Sequence, residues 1–557
     1  MTRTLRSNLP PTTARWATRR ALWRALGLTD ADMEKPKIAV VNSSSNLAIC
    51  FSHLDAIALR VKEVIRAAGA IPFEIRTAAP SDFVTIVGKK GGYILSTRDL
   101  ITNDIEVQVE GAMLDGMLCL ASCDKTMPGQ VMAAGRLNVP TLVVCCGYQP
   151  SGQYRGQHCD IEDLFATAGG LPFGKVTAQQ LREMGEVAIL GPGVCSGMGT
   201  ANTMHVACEA LGMALPGSTP VLANSPPMWD VVATAGRRIV AMVEEDLKPR
   251  DILTPAAFEN AVKVMLAVSG SINAVKHLAA IAQESGLDVD VHRLFERHAD
   301  TVLPLIAVRP NGPTSTEAFE AAGGARGVMK QLAGVLDLSV MTATGRTLGA
   351  ELADYTVADA EVIRPLDRPM ARHPTVVLLR GSLAPEAGIV KLSVTEARVL
   401  TQRGPAVVYE TAQAAIDGIG AGEVKPGDIL VVRGLGPKGT PGMGAATAVV
   451  FAVLGAGLAG KIAIVTDGQL SGLANVGITV GEVAPEAAAG GPIGLVENGD
   501  LISIDVGRRL AELEVPEAVL AERRARLRNW EGEPEHGWLA IYRRLVQPLR
   551  QGAVLLK

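Results

Sequence analysis

The sequence predicts an α/β protein in which a large N-terminal parallel-sheet domain precedes a smaller, β-rich, barrel-like C-terminal domain. Three observations lead to this fold class. From Pro36 onward, short apolar runs alternate with helical patterns, as in βαβ units. Residues 364–374 carry three prolines and no apolar periodicity, which is typical of a connector. Beyond them short strand-like runs dominate, and 557 residues exceed what one ordinary core holds.

The N-terminal domain is predicted to span residues 1–363. Apolar runs followed by amphipathic segments predict its first two βα units. These are a strand at 38–41 with a helix at 53–68, and a strand at 117–121 with a helix at 130–137. The same pattern continues with a strand at 187–190 and a helix at 200–213.

The first residues of the chain admit two interpretations. Six arginines among the first 24 residues, with no acidic residue before Asp30, resemble an organellar transit peptide. Trp16, Leu22, Trp23 and Leu26 are instead spaced like one face of a docked amphipathic helix. We favour the helix, and with it a cytoplasmic location.

The C-terminal domain is predicted at 375–557, with residues 364–374 as the linker. Its strands are expected at 375–379, 389–394, 406–409, 429–432 and 462–465. The turn sequence at 497–500 predicts a hairpin between the runs 493–496 and 501–504. The apolar stretch 446–460 is too short and too interrupted by glycine to span a bilayer, so we expect a buried helix there.

The composition excludes several classes of protein. Hydrophobic residues make up 48% and charged residues 20%, which is typical of a globular α/β protein and predicts no membrane span. A net charge of -4 gives no reason to expect a nucleic-acid partner. Eight cysteines, without a signal peptide or dense pairing, predict reduced thiols that are available as ligands.

Three of these thiols share one context. Cys50, Cys123 and Cys195 each follow a strand-like run and lie in a short loop before a helical pattern. Ligands collect at the carboxyl ends of strands in open α/β sheets, so the three loops are expected to converge on one metal centre. Three thiolates on a small iron cluster would leave one iron open as a Lewis acid. The alternative is that each cysteine is a small apolar core residue, as we expect for the other five.

Polar residues near these loops are further candidates. Asp124 and Lys125 follow Cys123, and Asp82 lies in a turn; the two carboxylates suit a hard cation such as Mg²⁺ but also suit solvated loops. Ser471 follows the predicted strand 462–465 in a glycine-containing turn, where it either caps the turn or acts as an activated base.

Taken together, the motifs resemble the family of dihydroxy-acid, sugar-acid and 6-phosphogluconate dehydratases, from Arg6 almost to the end of the chain. Any one fragment is weak, but their order is specific. The resemblance is carried by Val41-Asn42-Ser43, Cys50-Phe51-Ser52-His53-Leu54, Cys123-Asp124-Lys125, Pro128-Gly129, Cys195 to Met204, Thr344 to Leu348, Val362 to Pro365, Leu379 to Pro385, Gly436-Pro437-Lys438-Gly439, Asp467-Gly468, Ser471-Gly472, Pro485-Glu486-Ala487 and Gly490 to Ile493.

The resemblance implies an iron-sulfur hydro-lyase that converts a 2,3-dihydroxy carboxylic acid, a sugar acid or a related small acid, to a 2-keto-3-deoxy acid. It implies a [2Fe-2S] cluster on the three cysteines named above, although a [4Fe-4S] cluster with an open iron fits them too. It implies Mg²⁺ bound by Asp82, Asp124 and a carbamylated Lys125, with Ser471 as the base that removes the C2 proton. A homodimer or homotetramer is expected.

The sequence departs from the family pattern where the C-terminal domain should complete the site. The family's magnesium-binding glutamate is replaced by Ala445, and its Arg-Phe before the serine by Gln469-Leu470. Its Gly-His-Val becomes Gly481-Glu482-Val483. We therefore predict that Glu482 supplies the missing oxygen ligand; the alternative is an ordinary loop carboxylate.

Two other functions stay open from the sequence. One is a lyase or isomerase that uses the cluster without Mg²⁺. The other is a non-catalytic, cluster-bearing homologue that acts as a sensor or partner subunit. Retention of the three cysteines and Ser471 favours the enzyme.

Overall fold

The computed structural model describes residues 5–394, 400–471, 477–526 and 535–555. Its N-terminal part is a four-stranded parallel sheet surrounded by helices, and its C-terminal part is an eight-stranded, nearly closed sheet. The α/β fold class with a parallel N-terminal sheet and a barrel-like C-terminal part is thus confirmed. Among the described residues, none of the helices is long and apolar enough to cross a membrane.

From residue 5 onward, where the description begins, the N-terminal part contains six strands and seventeen α-helices. Strands β1–β6 are Lys37–Asn42, Ile71–Arg76, Gly116–Ala121, Thr141–Cys145, Gly152–Tyr154 and Gln157–Cys159. Helices α1–α17 are Ala14–Ala25, Asp30–Met33, Leu54–Ala67, Asp82–Thr85, Gly92–Ala112, Thr126–Leu137, Ile161–Ala168, Ala178–Gly185, Thr200–Ala210, Pro226–Glu245, Pro249–Ile252, Pro255–Ala267, Asn273–Glu284, Val291–His298, Thr316–Ala322, Gly324–Gln331 and Leu348–Leu352.

The parallel sheet has the strand order β2-β1-β3-β4. Strand β1 is buried along its whole length, because helices cover both faces of a parallel sheet and leave no side for water. Helix α3 packs on the sheet through apolar residues at helical spacing, including Ile57, Val61 and Ile65. With all strands parallel, the loops after β1, β2 and β3 meet at one edge.

In its described residues, the C-terminal part contains eight strands and four α-helices. Strands β7–β14 are Val376–Leu379, Ala387–Lys391, Thr401–Tyr409, Ile429–Val432, Ala463–Thr466, Ile478–Ala484, Leu501–Asp505 and Leu510–Leu513. Helices α18–α21 are Ala412–Gly420, Thr447–Ala456, Glu517–Arg526 and Trp538–Leu545.

The order of this sheet is β14-β13-β9-β10-β11-β12-β8-β7. A bridge between Arg380, which follows β7, and Leu510 of β14 brings the two edge strands together. Apolar side chains that include Val431, Val465 and Ile502 fill the interior as a core separate from that of the parallel sheet. Near-closure removes the exposed edges of an open sheet.

Most predicted elements are confirmed, and two are wrong. Residues 187–190 form no strand, because the N–H groups of Val187 and Ala188 donate to the Met184 carbonyl and extend the end of α8 as a turn. The turn at 497–500 joins no hairpin, since Pro492–Leu495 is a 3₁₀ helix. Strand β13 pairs instead with β9 and β14.

The N-terminal helix exists as predicted, but it docks through fewer residues than expected. Trp23 stacks on Phe73 with ring centroids 5.2 Å apart, and Arg19 lies over the Trp23 ring. Leu22 and Leu26 remain about 70% exposed.

Residues 353–375 contain neither helix nor strand, and the boundaries 1–363, 364–374 and 375–557 stay predictions.

Candidate active site

The three predicted cluster ligands line one cavity of about 390 Å³. Cys50 lies in a 3₁₀ turn after β1, Cys123 follows β3, and Cys195 lies in the loop before α9. Parallel strands end at the same edge, which explains why loops from distant parts of the sequence meet here. The remaining cysteines that the structure describes do not line this cavity.

Hydrogen bonds hold the cysteine loops to one another. The Ser122 hydroxyl donates to the Cys50 carbonyl, and His205 of α9 bonds to the Ser122 carbonyl at 2.9 Å. The Asn202 amide donates to the carbonyls of Cys195 at 2.9 Å and Gly197 at 2.8 Å. The thiols are therefore positioned before any ligand binds.

Two of the thiols, those of Cys123 and Cys195, favour the protonated form more than a free cysteine does. The hydrogen bond with Cys50, together with burial, raises the pKa of Cys123 well above its ordinary value. Burial and then the neighbouring Glu162 raise the pKa of Cys195. Metal binding must displace these protons, so cluster loading and deprotonation are coupled.

Asp82, Asp124 and Lys125 form a compact group of charged side chains beside Cys123. The Lys125 ammonium is fully buried, with Nζ at 2.9 Å from Asp82 Oδ2 and 3.6 Å from Asp124 Oδ2. One oxygen each of Asp82 and Asp124 and the Cys123 sulfur lie within 4.8 Å of one another, a spacing that suits a shared metal ion. Burial and the nearby Asp82 raise the pKa of Asp124 to about 7.

The C-terminal part contributes Ser471, Gln469 and Ala445 to the same cavity. The Asp467 carboxylate anchors the loop after β11 by accepting from the N–H groups of Gly434, Leu435 and Ala487 at 2.9–3.1 Å. The Ser471 N–H donates to Thr447 Oγ1 at 2.8 Å. The serine is thus fixed opposite the cysteine loops.

Glu482 lies elsewhere than the carboxylates around Lys125. It is buried at a bulge of β12 with φ of 54°, and its Oε1 lies 2.5 Å from Lys276 Nζ of α13. It does not line the cavity. Burial lowers the pKa of Lys276 to about 8 against the opposing pull of Glu482, so at pH 7 most of the Lys276 amine is protonated. Its role as a cation ligand stays a prediction.

Five buried polar atoms without a hydrogen-bond partner among the described residues belong to side chains that line the cavity. They are Asp82 Oδ1, Gln149 Nε2, Glu162 Oε2, Asn202 Oδ1 and Gln469 Oε1. Folded proteins rarely leave such groups unpaired, so the cavity is chemically suited to polar or metal-containing ligands. The three thiols fit an iron-sulfur cluster, and the two aspartates fit a divalent cation.

Sequence reasoning missed Glu162, Gln149, Asn202 and Lys276. The motif Cys195 to Met204 contains Asn202, so its pattern was visible even though its role was not. Glu162 and Gln149 lie in segments without a recognisable motif. Their place in the cavity depends on how α7 and the loop after β4 pack against the Cys195 loop.

Comparison with known proteins agrees with the fold and with this arrangement. Residues 35–351 match the N-terminal family model of the dihydroxy-acid/6-phosphogluconate dehydratases, and residues 361–553 match the C-terminal one.

Three relatives named dihydroxy-acid dehydratase show the extent of the likeness. The protein of Methanothrix thermoacetophila is 40% identical over 557 residues, covering 99% of this chain and 100% of the relative. Those of Caldicellulosiruptor saccharolyticus and Methanococcoides burtonii are 39% and 38% identical, each covering 97% of this chain and 98% of the relative. The chain therefore belongs to the dihydroxy-acid/6-phosphogluconate dehydratase family and is a dehydratase, a hydro-lyase acting on dihydroxy acids.

Proposed function

We propose that the protein dehydrates a small 2,3-dihydroxy carboxylic acid, a sugar acid or a related acid, to a 2-keto-3-deoxy acid with the help of an iron-sulfur cluster and Mg²⁺. The observation that carries this proposal is the convergence of three thiols, two aspartates and Ser471 on one cavity. The names of the relatives support the dihydroxy acid as substrate class.

Each group of residues in the cavity has its own proposed role. Cys50, Cys123 and Cys195 hold the cluster, which we propose to be [2Fe-2S]. Asp82 and Asp124 hold the cation, with Lys125 as a third ligand if carbamylated. When bound, these groups supply Lewis acids for the leaving C3 hydroxyl and for the carboxylate end of the substrate.

Ser471 is the base that removes the C2 proton. Its loop leads into the cavity from the opposite side, and Asp467 keeps that loop in place. Apolar side chains that include Phe83, Ile94 and Phe165 line the cavity, and electrostatic interactions are stronger beside such groups than in water. After loss of the C3 hydroxyl, the resulting enol relaxes to the 2-keto acid. Glu482 stays a candidate ligand only if it can leave Lys276.

The test is a keto-acid assay on anaerobically purified protein, with the visible spectrum and sulfide content measured in parallel. Ser471→Ala should keep the spectrum while kcat falls by about 10²–10⁴, the range typical of a lost acid-base group. Ser339→Ala, which alters an exposed serine that bonds Asp337, is the matched control. A colourless protein without sulfide would contradict the cluster.

A cluster-bearing sensor without catalysis is the competing function. It predicts an intact spectrum but no keto acid from any substrate in the panel.

The expected homodimer or homotetramer and the cytoplasmic location also stay predictions. Light scattering on the loaded protein tests the first of these.

A further inference from the structure

Glu162 presents an unusual carboxyl to the cavity. It is the second residue of α7, and its N–H donates to Asp160 Oδ1 at 2.8 Å. The side chain is 6% exposed, and its Oε2 is buried without a hydrogen-bond partner among the described residues. Folded proteins rarely leave a buried polar group unpaired, so this carboxyl oxygen is a candidate for a hydrogen bond to a ligand.

Two glycines of the Cys195 loop make room for this carboxyl. A Cβ at Gly197 would lie 2.2 Å from Glu162 Oε2, and a Cβ at Gly199 would lie 2.9 Å from Oε1. At Gly199 no other atom would lie within 4 Å. The loop that carries a predicted cluster ligand is thus shaped around Glu162, which places the carboxyl on the cluster side of the cavity.

The carboxylates around Glu162 disfavour an anionic partner. Burial and the carboxylates of Asp160, Asp163 and Asp124 raise its pKa well above the ordinary value. The nearest cation, Arg309, already binds both oxygens of Asp163 at 2.7 and 2.9 Å. Glu162 is also not part of the compact group of Asp82, Cys123 and Asp124. A neutral hydroxyl group, which can donate a hydrogen bond to Oε2, fits these surroundings.

We propose that Glu162 binds a hydroxyl group on C4 of the substrate, and so selects acids that carry this hydroxyl group over their analogues with an alkyl group there. This rests on the proposed function, in which the substrate carboxylate lies toward the cation. The acidic surroundings of Glu162 repel that carboxylate and leave the other end of the substrate near α7. Ile161 and Phe165 of the same helix line the cavity with apolar side chains, so Glu162 offers a polar contact beside them.

The test compares two substrates that differ in one hydroxyl group, 2,3,4-trihydroxybutanoate and 2,3-dihydroxybutanoate, with the same configuration at C2 and C3. The wild-type protein should prefer the trihydroxy acid by about 30-fold or more in kcat/KM, since a site built to bind a hydroxyl rejects the analogue that lacks it. In Glu162→Met that preference should fall to within about threefold of unity, mainly through a higher KM for the trihydroxy acid.

Glu162→Gln, which keeps the size and can still bond a hydroxyl, should retain part of the preference. Glu186→Gln, which changes an exposed carboxyl just after α8, should retain all of it. Cluster content is measured by the visible spectrum for every variant. A wild-type protein that prefers the dihydroxy acid, or a Glu162→Met that loses both activities equally, overturns the proposal. If the wild type converts neither acid nor any other of a sugar-acid panel, the proposed function itself fails.

Discussion

Two buried glutamates near the same cavity show how differently one residue type is used. Glu482 is 3% exposed and lies 2.5 Å from the Lys276 ammonium, whereas Glu162 is 6% exposed and its Oε2 has no partner among the described residues. Burial alone therefore does not identify a functional carboxyl. Glu482 has its partner within the protein, whereas Glu162 Oε2 remains available to a ligand.

The region around Glu482 connects the barrel to the aspartates. Lys276 also donates to Asn273 Oδ1, whose amide donates to Thr200 Oγ1 at 2.7 Å. The Thr200 hydroxyl in turn bonds Asp124 and favours its charged form. This chain of hydrogen bonds joins β12 of the C-terminal part to the predicted cation site of the N-terminal part.

The largest expected effect comes from breaking the paired glutamate. Lys276→Met leaves Glu482 as an uncompensated buried charge and should lower the stability by about 3–5 kcal/mol. Urea unfolding followed by circular dichroism measures it. The double variant Lys276→Met/Glu482→Met should recover most of the loss, since a buried pair can be replaced by apolar groups at little cost. A single variant as stable as wild type would show that the pair does not hold the two parts together.

Divalent-cation binding separates the two predictions for Glu482. Asp124→Asn should weaken Mn²⁺ binding, followed by electron paramagnetic resonance, by about tenfold or more because it removes a charged oxygen ligand. If Glu482 is a ligand, as the sequence predicts, Glu482→Gln should weaken binding as strongly. If Lys276 holds it, the change should stay below about threefold. Glu317→Gln, a change well away from these aspartates in the sequence, serves as the control.

Removing the unpaired Glu162 should raise the stability of the protein, whereas breaking the pair of Lys276 and Glu482 should lower it. Glu162→Met takes an unsatisfied carboxyl out of a buried site and should stabilise the protein by about 1–2 kcal/mol. The thermal midpoint of the variant, compared with that of Glu186→Gln, measures the gain. A clear loss of stability would mean that Glu162 has a structural partner.

The smallest effect is expected from Gly199→Ala. The new methyl group meets only Glu162 Oε1, so the carboxyl should shift by a few tenths of an ångström. We expect the preference for 2,3,4-trihydroxybutanoate to fall by about two- to fivefold, which corresponds to roughly 0.4–1 kcal/mol. The same change in the Glu162→Met background should have no effect on that preference. An equal effect in both backgrounds would mean that the methyl group acts on the loop instead.

Much of the fold was predictable because its signals are local. The alternation of apolar runs and helical segments predicted the parallel sheet, and the short strand-like runs after it predicted the β-rich part. The secondary-structure prediction failed where hydrogen bonds to a neighbouring helix overrode the local preference for a strand. Residues 187–190 have strand-forming side chains, but Val187 and Ala188 bond to the end of α8 instead.

The sequence by itself determined the chemistry available to this protein: three loop cysteines, the Asp124-Lys125 pair and the turn that carries Ser471. These are properties of residue type and order. Only the tertiary structure decided that Glu482 pairs with Lys276 while Glu162 faces the cavity unpaired. The partners of a side chain come from elements more than a hundred residues apart, such as α13 and β12, and no local pattern records which of them pack together.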